Sequence, residues 1–291
     1  METAEGMDKI RSLLPSFRST IASLTTSPSL RIIKSYPPRP TSLSPSTSQK
    51  RRTVCILDSS FNPPTKAHMH LALQSLRKYT PEGSSEEPPS LLLLLATTNA
   101  DKASSPASYE HRLAMMCLLA EEIHNVYATS PSNKDTKAPA PQIDIGITPH
   151  PRFIDKSTDL SNHPSFPSET TRQVWILGYD TLTRLLDPKY YPPHHTLTPL
   201  HTTLLSSANR ILVFTRPSAA FGTETSQYEY VASLDPSISQ RVDMVVPEDA
   251  GQVDGVSSTV VRNGVKDGTE GWKGGVCEGV GEWIGREGLY S

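Results

Sequence analysis

From residue 53 onward, short apolar runs alternate with longer amphipathic stretches, and this alternation predicts most of the elements. Residues 53–57 form a compact strand candidate and 66–79 a helix. The unbroken apolar run at 91–96 predicts a strand buried on both faces. Residues 109–124 predict a helix with Leu113, Met116, Cys117 and Ala120 on one side. Residues 143–147 alternate weakly, 174–177 form another strand, and a helical pattern follows at 181–186. Further strands are expected at 210–215 and 242–246, and helices at 257–266 and 276–287. Nine of the 16 glycines fall between Gly264 and Gly288, which argues against the last helix, but the spacing of Val276, Val280, Trp283 and Ile284 outweighs them. Strands alternating with helices imply an α/β fold, a mostly parallel sheet with helices on both faces.

Residues 1–52 read differently. No acidic residue occurs between Asp8 and Asp58, whereas Lys9, Arg11, Arg18, Arg31, Lys34, Arg39, Lys50, Arg51 and Arg52 are basic and much of the remainder is Ser, Thr and Pro. Such an acid-poor start is one mark of a mitochondrial presequence, but Glu2, Glu5 and Asp8 oppose that reading. Ile10, Leu13, Leu14, Phe17, Ile21 and Leu24 recur at helical spacing, interrupted by Pro15. The favoured reading is an amphipathic helix docked on the following domain, then a Pro/Ser-rich linker from Ser35 to Arg52. The expected organisation is therefore a basic extension (1–52) and one domain (53–291), located in the cytoplasm or nucleus, with mitochondrial import as the weaker reading.

Composition narrows the function. The net charge is -2, without the basic surplus expected of a nucleic-acid or anionic-membrane binder. The longest apolar run, 91–96, is far short of the ~20 residues a membrane helix needs. Cys55, Cys117 and Cys277 form no CxxC pair, so neither a disulfide framework nor a zinc site is indicated. The 26 prolines cluster between periodic segments and mark long loops. Neither nucleic acid nor membrane is expected as a partner; homo-oligomerisation stays open.

Five polar clusters sit at predicted strand ends. Asp58-Ser-Ser-Phe-Asn-Pro-Pro-Thr-Lys-Ala-His68 follows the first strand and opens a helix, where orphan N–H groups and the helix dipole favour phosphate. Thr65 and His68, three apart, share a helix face; the segment alone reads equally well as a capped helix with a solvent-facing histidine. His68 and His70 point to different sides, so no metal site is expected. Ser257-Ser258-Thr259-Val-Val-Arg262 combines N-capping hydroxyls with a guanidinium, which is either a plain cap or a polyphosphate clamp. Gly178 and Asp180 end one strand, Arg216 another, and Asn99-Ala-Asp-Lys102 a third; ligands of parallel sheets bind at such carboxyl ends.

Taken together, these residues resemble the nucleotidylyltransferase superfamily, and most closely nicotinamide mononucleotide adenylyltransferases. Phe61-Asn-Pro-Pro-Thr-x-x-His68 resembles the family's first signature and Ser257-Ser-Thr-x-x-Arg262 its second, with Gly178-x-Asp180 and Thr215-Arg-Pro217 in order between them. His111-Arg112-Leu-Ala-Met-Met is similar to the helix after the substrate loop, and Glu282-Trp-Ile-x-x-x-x-Leu-Tyr-Ser291 to the closing segment of eukaryotic members. The Asp58-Ser-Ser-Phe-Asn-Pro-Pro loop with Asn99-Ala-Asp-Lys102 resembles a fungal branch named for promoting filamentation. Departures are Ser59 in place of the usual glycine, Ala67 where many members have glycine, and Thr65 in place of the bacterial histidine.

The resemblance implies a Rossmann-like fold and transfer of AMP from ATP to nicotinamide mononucleotide. It implies catalytic roles for His68, Thr65 and Arg262, with His68 on the α/β-phosphates. ATP would also meet Ser60, Phe61, Lys102, Arg216, Ser257, Ser258 and Thr259. The mononucleotide would meet Ser60, Phe61, Gly178 and Asp180, with Tyr190 or Tyr191 stacked on its base; loop packing explains those tyrosines equally well. Mg²⁺ would arrive with ATP. The alternatives are another adenylyl- or cytidylyltransferase, or a weakly active ATPase or nucleotide-binding regulator.

Overall fold

Among the described residues, seven strands build one sheet in the order β1-β4-β3-β2-β5-β6-β7: β1 Arg31–Tyr36, β2 Arg52–Asp58, β3 Ser90–Ala96, β4 Ile143–Thr148, β5 Thr171–Gly178, β6 Arg210–Phe214 and β7 Val242–Val245. The computed structural model describes residues 2–38, 51–80, 88–98, 106–130, 140–191, 196–205, 208–248 and 255–291. All pairings are parallel except β1 with β4. The two-residue period of the strands divides their apolar side chains between two cores. Cys55, Leu57, Leu91, Leu93, Leu95, Val174 and Ile176 enter one, and Val54, Ile56, Leu92, Leu94, Trp175 and Leu177 the other. Because both faces are covered, these strands are continuous apolar runs.

The chain builds outward from β2 through β3 to β4, then returns to lay β5 on the opposite side of β2 and continues to β7. The reversal leaves a crevice between the carboxyl ends of β2 and β5, where doubly wound sheets take their ligands. Asp58 ends one strand and Gly178 the other. No helix among the described residues is long and apolar enough to cross a membrane.

The Lys66–Tyr79 helix has the predicted bounds. The helix expected at 109–124 runs Tyr109–Thr129 and is buried all round from Arg112 to Ala120, not along one side. Helices Leu14–Ser23 and Glu278–Glu287 cover the face it would otherwise show to solvent. Helices Phe153–Ser161 and Glu224–Ser233 escape the periodicity reading.

The N-terminal segment corrects the sequence reading most. One amphipathic helix is in fact two, Glu2–Arg11 and Leu14–Ser23, with Pro15 in the first turn of the second, where its missing N–H costs nothing. Met7, Ile10, Leu14, Phe17 and Leu24 are buried in the first core. Arg18 pairs with Glu110 at 2.9 Å, Arg11 with Glu287 at 3.4 Å, and Asp8 with Arg286. Ser35 and Tyr36, expected in the linker, belong to β1, which pairs antiparallel with β4 from Arg31↔Ile147 to Tyr36↔Ile143 with a register shift between Ile32 and Lys34. Arg31 and Lys34 hide this strand in the sequence, and charged residues are normal on a sheet edge. Residues 39–50 of the expected linker lie outside the described residues.

Candidate active site

The loop after β2 is pinned from below. The Asp58 carboxylate lies 2.5 Å from Lys156 Nζ of the Phe153–Ser161 helix, with side chains only 9% and 4% exposed. Removing either partner would strand a buried charge. Ser59 N–H donates to the Leu94 carbonyl at 3.2 Å. Phe61 takes φ +42°, a left-handed conformation uncommon for an aromatic residue, with its ring fully buried.

Thr65 is the N-cap of the following helix, and its partner is His68. The Thr65 N–H donates to His68 Nδ1 at 3.0 Å, with the Thr65 hydroxyl 2.9 Å from the same nitrogen. The three-residue spacing is thus a capping box in which a histidine takes the usual acidic position. With Nδ1 accepting, the proton resides on Nε2, which donates to Ser59 Oγ at 2.9 Å. The imidazole keeps some exposed surface, yet burial among Ser59, Phe61 and Thr65 lowers its pKa to about 4. It is a neutral N–H donor held at a helix N-terminus, and buried Thr65 stands behind it as its orienting group.

The second hydroxyl-rich segment meets this loop from nearly 200 residues away. Ser257 caps the Ser258–Lys266 helix by accepting from Val260 N–H at 3.2 Å. Ser258 Oγ donates to the Pro63 carbonyl at 2.8 Å. Arg262 donates to the Asn62 carbonyl at 2.6 Å and to Thr259 Oγ1 at 3.1 Å. Two further contributors lie in segments that carry the family resemblance but were given no site role from the sequence. Arg112, 6% exposed, donates to the carbonyls of Ala107 at 2.9 Å and Ser60 at 3.5 Å. The Tyr290 hydroxyl donates to Asn62 Oδ1 at 2.7 Å. Burial, together with the neighbouring Arg262, holds the Arg112 pKa below the ordinary guanidinium value. Among the described residues neither guanidinium has a carboxylate partner, so the loop carries a positive field suited to a polyanion.

Across the crevice, Gly178 ends β5, and a Cβ there would meet Asp180 Oδ1 at 2.8 Å; the glycine lets the carboxylate fold back against the strand end. Asp180 lies 3.5 Å from Arg216 and 3.4 Å from Arg184. Buried Gln227 clamps the Arg216 backbone, accepting from its N–H at 3.0 Å and donating to its carbonyl at 2.9 Å, while the guanidinium stays 65% exposed. Thr215 Oγ1, beside it, is buried with no partner among the described residues.

Not every expected residue joins this group. Tyr191 is buried in the second core with its hydroxyl donating to the Leu185 carbonyl at 2.6 Å, so packing, not base stacking, accounts for it. Tyr190 lies in a short 3₁₀ turn under Lys189. Ser60 is exposed on the loop. Lys102 lies outside the described residues. Burial pushes Cys55 and Cys117 up to about 12 and Cys277 to about 11, which leaves no described thiolate nucleophile. The described residues thus gather hydroxyl, N–H and guanidinium donors at the carboxyl ends of β2 and β5, an arrangement suited to a polyanion.

Residues 56–264 match the protein family described as cytidylyltransferase-like. A Schizosaccharomyces pombe protein, provisionally named a nicotinamide mononucleotide adenylyltransferase, is 32% identical over 230 residues, covering 75% of this chain and 78% of its own. The fold is also that of a Plasmodium falciparum nicotinic acid mononucleotide adenylyltransferase solved with NaAD, at TM-score 0.54 and 14% identity over 82% of this chain and 98% of that one. The same enzyme solved with APC superposes at TM-score 0.51 with 13% identity over the same shares.

Proposed function

The chain belongs to the cytidylyltransferase-like family, and from that premise we propose that it transfers AMP from ATP to nicotinamide mononucleotide, giving NAD and pyrophosphate. The observation that carries this reading is the junction of two distant segments on one loop, Ser258 on Pro63 and Arg262 on Asn62, beside the oriented N–H of His68. The S. pombe relative's name supports the same substrate pair. A finer placement, in the fungal filamentation branch, rests on the sequence of the Asp58–Pro64 loop together with Asn99-Ala-Asp-Lys102.

In this reaction a 5′-phosphate oxygen of the mononucleotide attacks the α-phosphorus of ATP, the bond to the bridging α–β oxygen breaks, and pyrophosphate leaves with its electron pair. Such a step needs alignment and charge stabilisation more than a covalent nucleophile. His68 Nε2–H serves the α/β-phosphates, oriented by Thr65. Ser257, Ser258, Thr259 and Arg262 serve the β/γ-phosphates, with Arg216 and Lys102 as further cations. Gly178 and Asp180 serve ribose, and the backbone at Ser60 and Phe61 the mononucleotide. Mg²⁺ would arrive as the ATP complex and would keep most of its waters, in keeping with a cradle made of donors. The docked N-terminal helices fit a cytoplasmic or nuclear protein better than one with a cleaved presequence.

The test is product identification: full-length protein with Mg-ATP and, separately, nicotinamide or nicotinic acid mononucleotide, products read by mass. NAD or its nicotinate counterpart with stoichiometric pyrophosphate is expected. Dephospho-coenzyme A or a CDP-alcohol from the matching substrates, without a dinucleotide, would move the chain to another branch of the family. Phosphate release alone would make it an ATPase. In the same assay Arg262→Ala should raise KM for ATP and lower kcat, together by roughly 10²-fold in kcat/KM. Arg262→Lys should recover only part, because an ammonium cannot hold the Asn62 carbonyl and a phosphate with one planar fork. Full recovery by lysine would reduce the role to charge.

A further inference from the structure

Among the described residues only two outside glycine adopt left-handed φ, Phe61 at +42° and Tyr290 at +70°. Separated by most of the chain, they meet at Asn62, which follows Phe61 and accepts the Tyr290 hydroxyl proton at 2.7 Å. Bulky residues persist in this region of φ only where their surroundings over-determine them, and such strain gathers at working sites. Gly288 makes the turn that brings Tyr290 here. Its φ is +59°, a Cβ on it would meet nothing, and the chain closes with Leu289 N–H on the Ile284 carbonyl at 3.0 Å.

Asn62 is the shared node. It is 3% exposed; its side-chain oxygen takes Tyr290, and its backbone oxygen takes Arg262 Nη1 at 2.6 Å. Arg262 and Arg112 both stand close enough to Tyr290 to act on its hydroxyl electrostatically. A hydroxyl that fixes the Asn62 side chain also fixes the peptide whose carbonyl aims Arg262. Without it, a buried amide oxygen loses its donor, and the loop gains a reason to turn toward other partners.

We propose that Tyr290 is a positioning residue of the triphosphate site, acting on ATP through Asn62 and the guanidinium of Arg262. The inference rests on the adenylyltransferase reading for the identity of the anion, and its test separates the two. Full-length Tyr290→Phe retains the ring and loses only the hydroxyl. Its Kd for a non-hydrolysable ATP analogue should rise roughly three- to tenfold, the effect of one buried hydrogen bond. The value of kcat should fall by a similar factor while KM for nicotinamide mononucleotide stays within about twofold and Tm falls by no more than about 6 °C. In an Arg262→Ala background the same change should leave analogue affinity where Arg262→Ala alone puts it, because the group it aims is gone.

Unaltered analogue affinity in Tyr290→Phe overturns the proposal. So does a loss of equal size in both backgrounds, which would mark general loosening. Analogue binding without dinucleotide formation by the unchanged protein overturns the preceding reading alone, and the affinity comparison still decides Tyr290. No analogue binding by the unchanged protein overturns both.

Discussion

Replacing His68 with alanine is expected to lower kcat by roughly 10²–10³-fold, the usual loss when one preorganised donor to a developing charge is removed. The size follows from how completely the imidazole is committed. Nδ1 is occupied by the Thr65 amide and hydroxyl, so Nε2–H has one direction, and Ser59 Oγ holds it there at 2.9 Å. Alanine also removes the acceptor of the Thr65 N–H, a cap worth about 0.5–2 kcal/mol, so Tm should fall by a few degrees without loss of the fold. Activity within a few-fold of the unchanged protein would take His68 out of the phosphate site.

The titration of His68 gives a second, independent reading of its place. Its pKa is lowered from 6.5 to about 4 by burial, so the ring is neutral throughout the pH 5–8 range and contributes no inflection to kcat there. Stability behaves otherwise. In the unfolded chain the imidazole takes up a proton as pH falls through about 6.5, while the folded one does not until about 4. Its contribution is therefore complete above about pH 6.5 and is lost as pH falls toward 4, by at most about 3 kcal/mol and less in proportion to the ring's exposure. Urea unfolding at pH 7 and pH 5 should show this slope, and His68→Ala should flatten it.

The parts of the fold legible in the sequence are those whose burial is local. β3 is visible because Leu91 to Leu95 are buried on both faces, and Lys66–Tyr79 because a cap, an apolar period and a basic last turn all fall within its own span. β1 is not, since its partner β4 lies over 100 residues away and its own charges belong to an edge. The site divides the same way. Thr65, His68 and the 257–262 run stand out as residue types at helix starts, whereas Arg112 and Tyr290, though inside segments that carry the resemblance, show no site role until the chain brings them to Ser60 and Asn62. Ser59, a departure from the family pattern in the sequence, is in the fold the acceptor of the His68 proton. Tyr191 is the opposite case: an aromatic at a plausible spacing whose hydroxyl and ring are both used by packing.

Deleting residues 1–37 should abolish soluble expression, or lower Tm by more than about 15 °C, because the segment forms part of the core and not only a cover for it. The Tyr109–Thr129 helix would lose the neighbour that makes burial all round its axis tolerable. β4, with Ile143, Ile145 and Ile147 at 0% exposure, would become an unpaired edge, an arrangement that invites aggregation. A single substitution tests the same packing more gently. Phe17, 3% exposed within the first core, should cost about 3–5 kcal/mol as Phe17→Ala, a large part of the 5–15 kcal/mol of a typical domain. Among the described residues, none of the hydrogen bonds around Asn62 and His68 involves the N-terminal helices. Phe17→Ala should accordingly retain kcat when assayed well below its lowered Tm. A truncated protein that stays soluble with an unchanged melting curve would show the segment to be dispensable, as a cleaved targeting sequence would be, and would sink the docked reading.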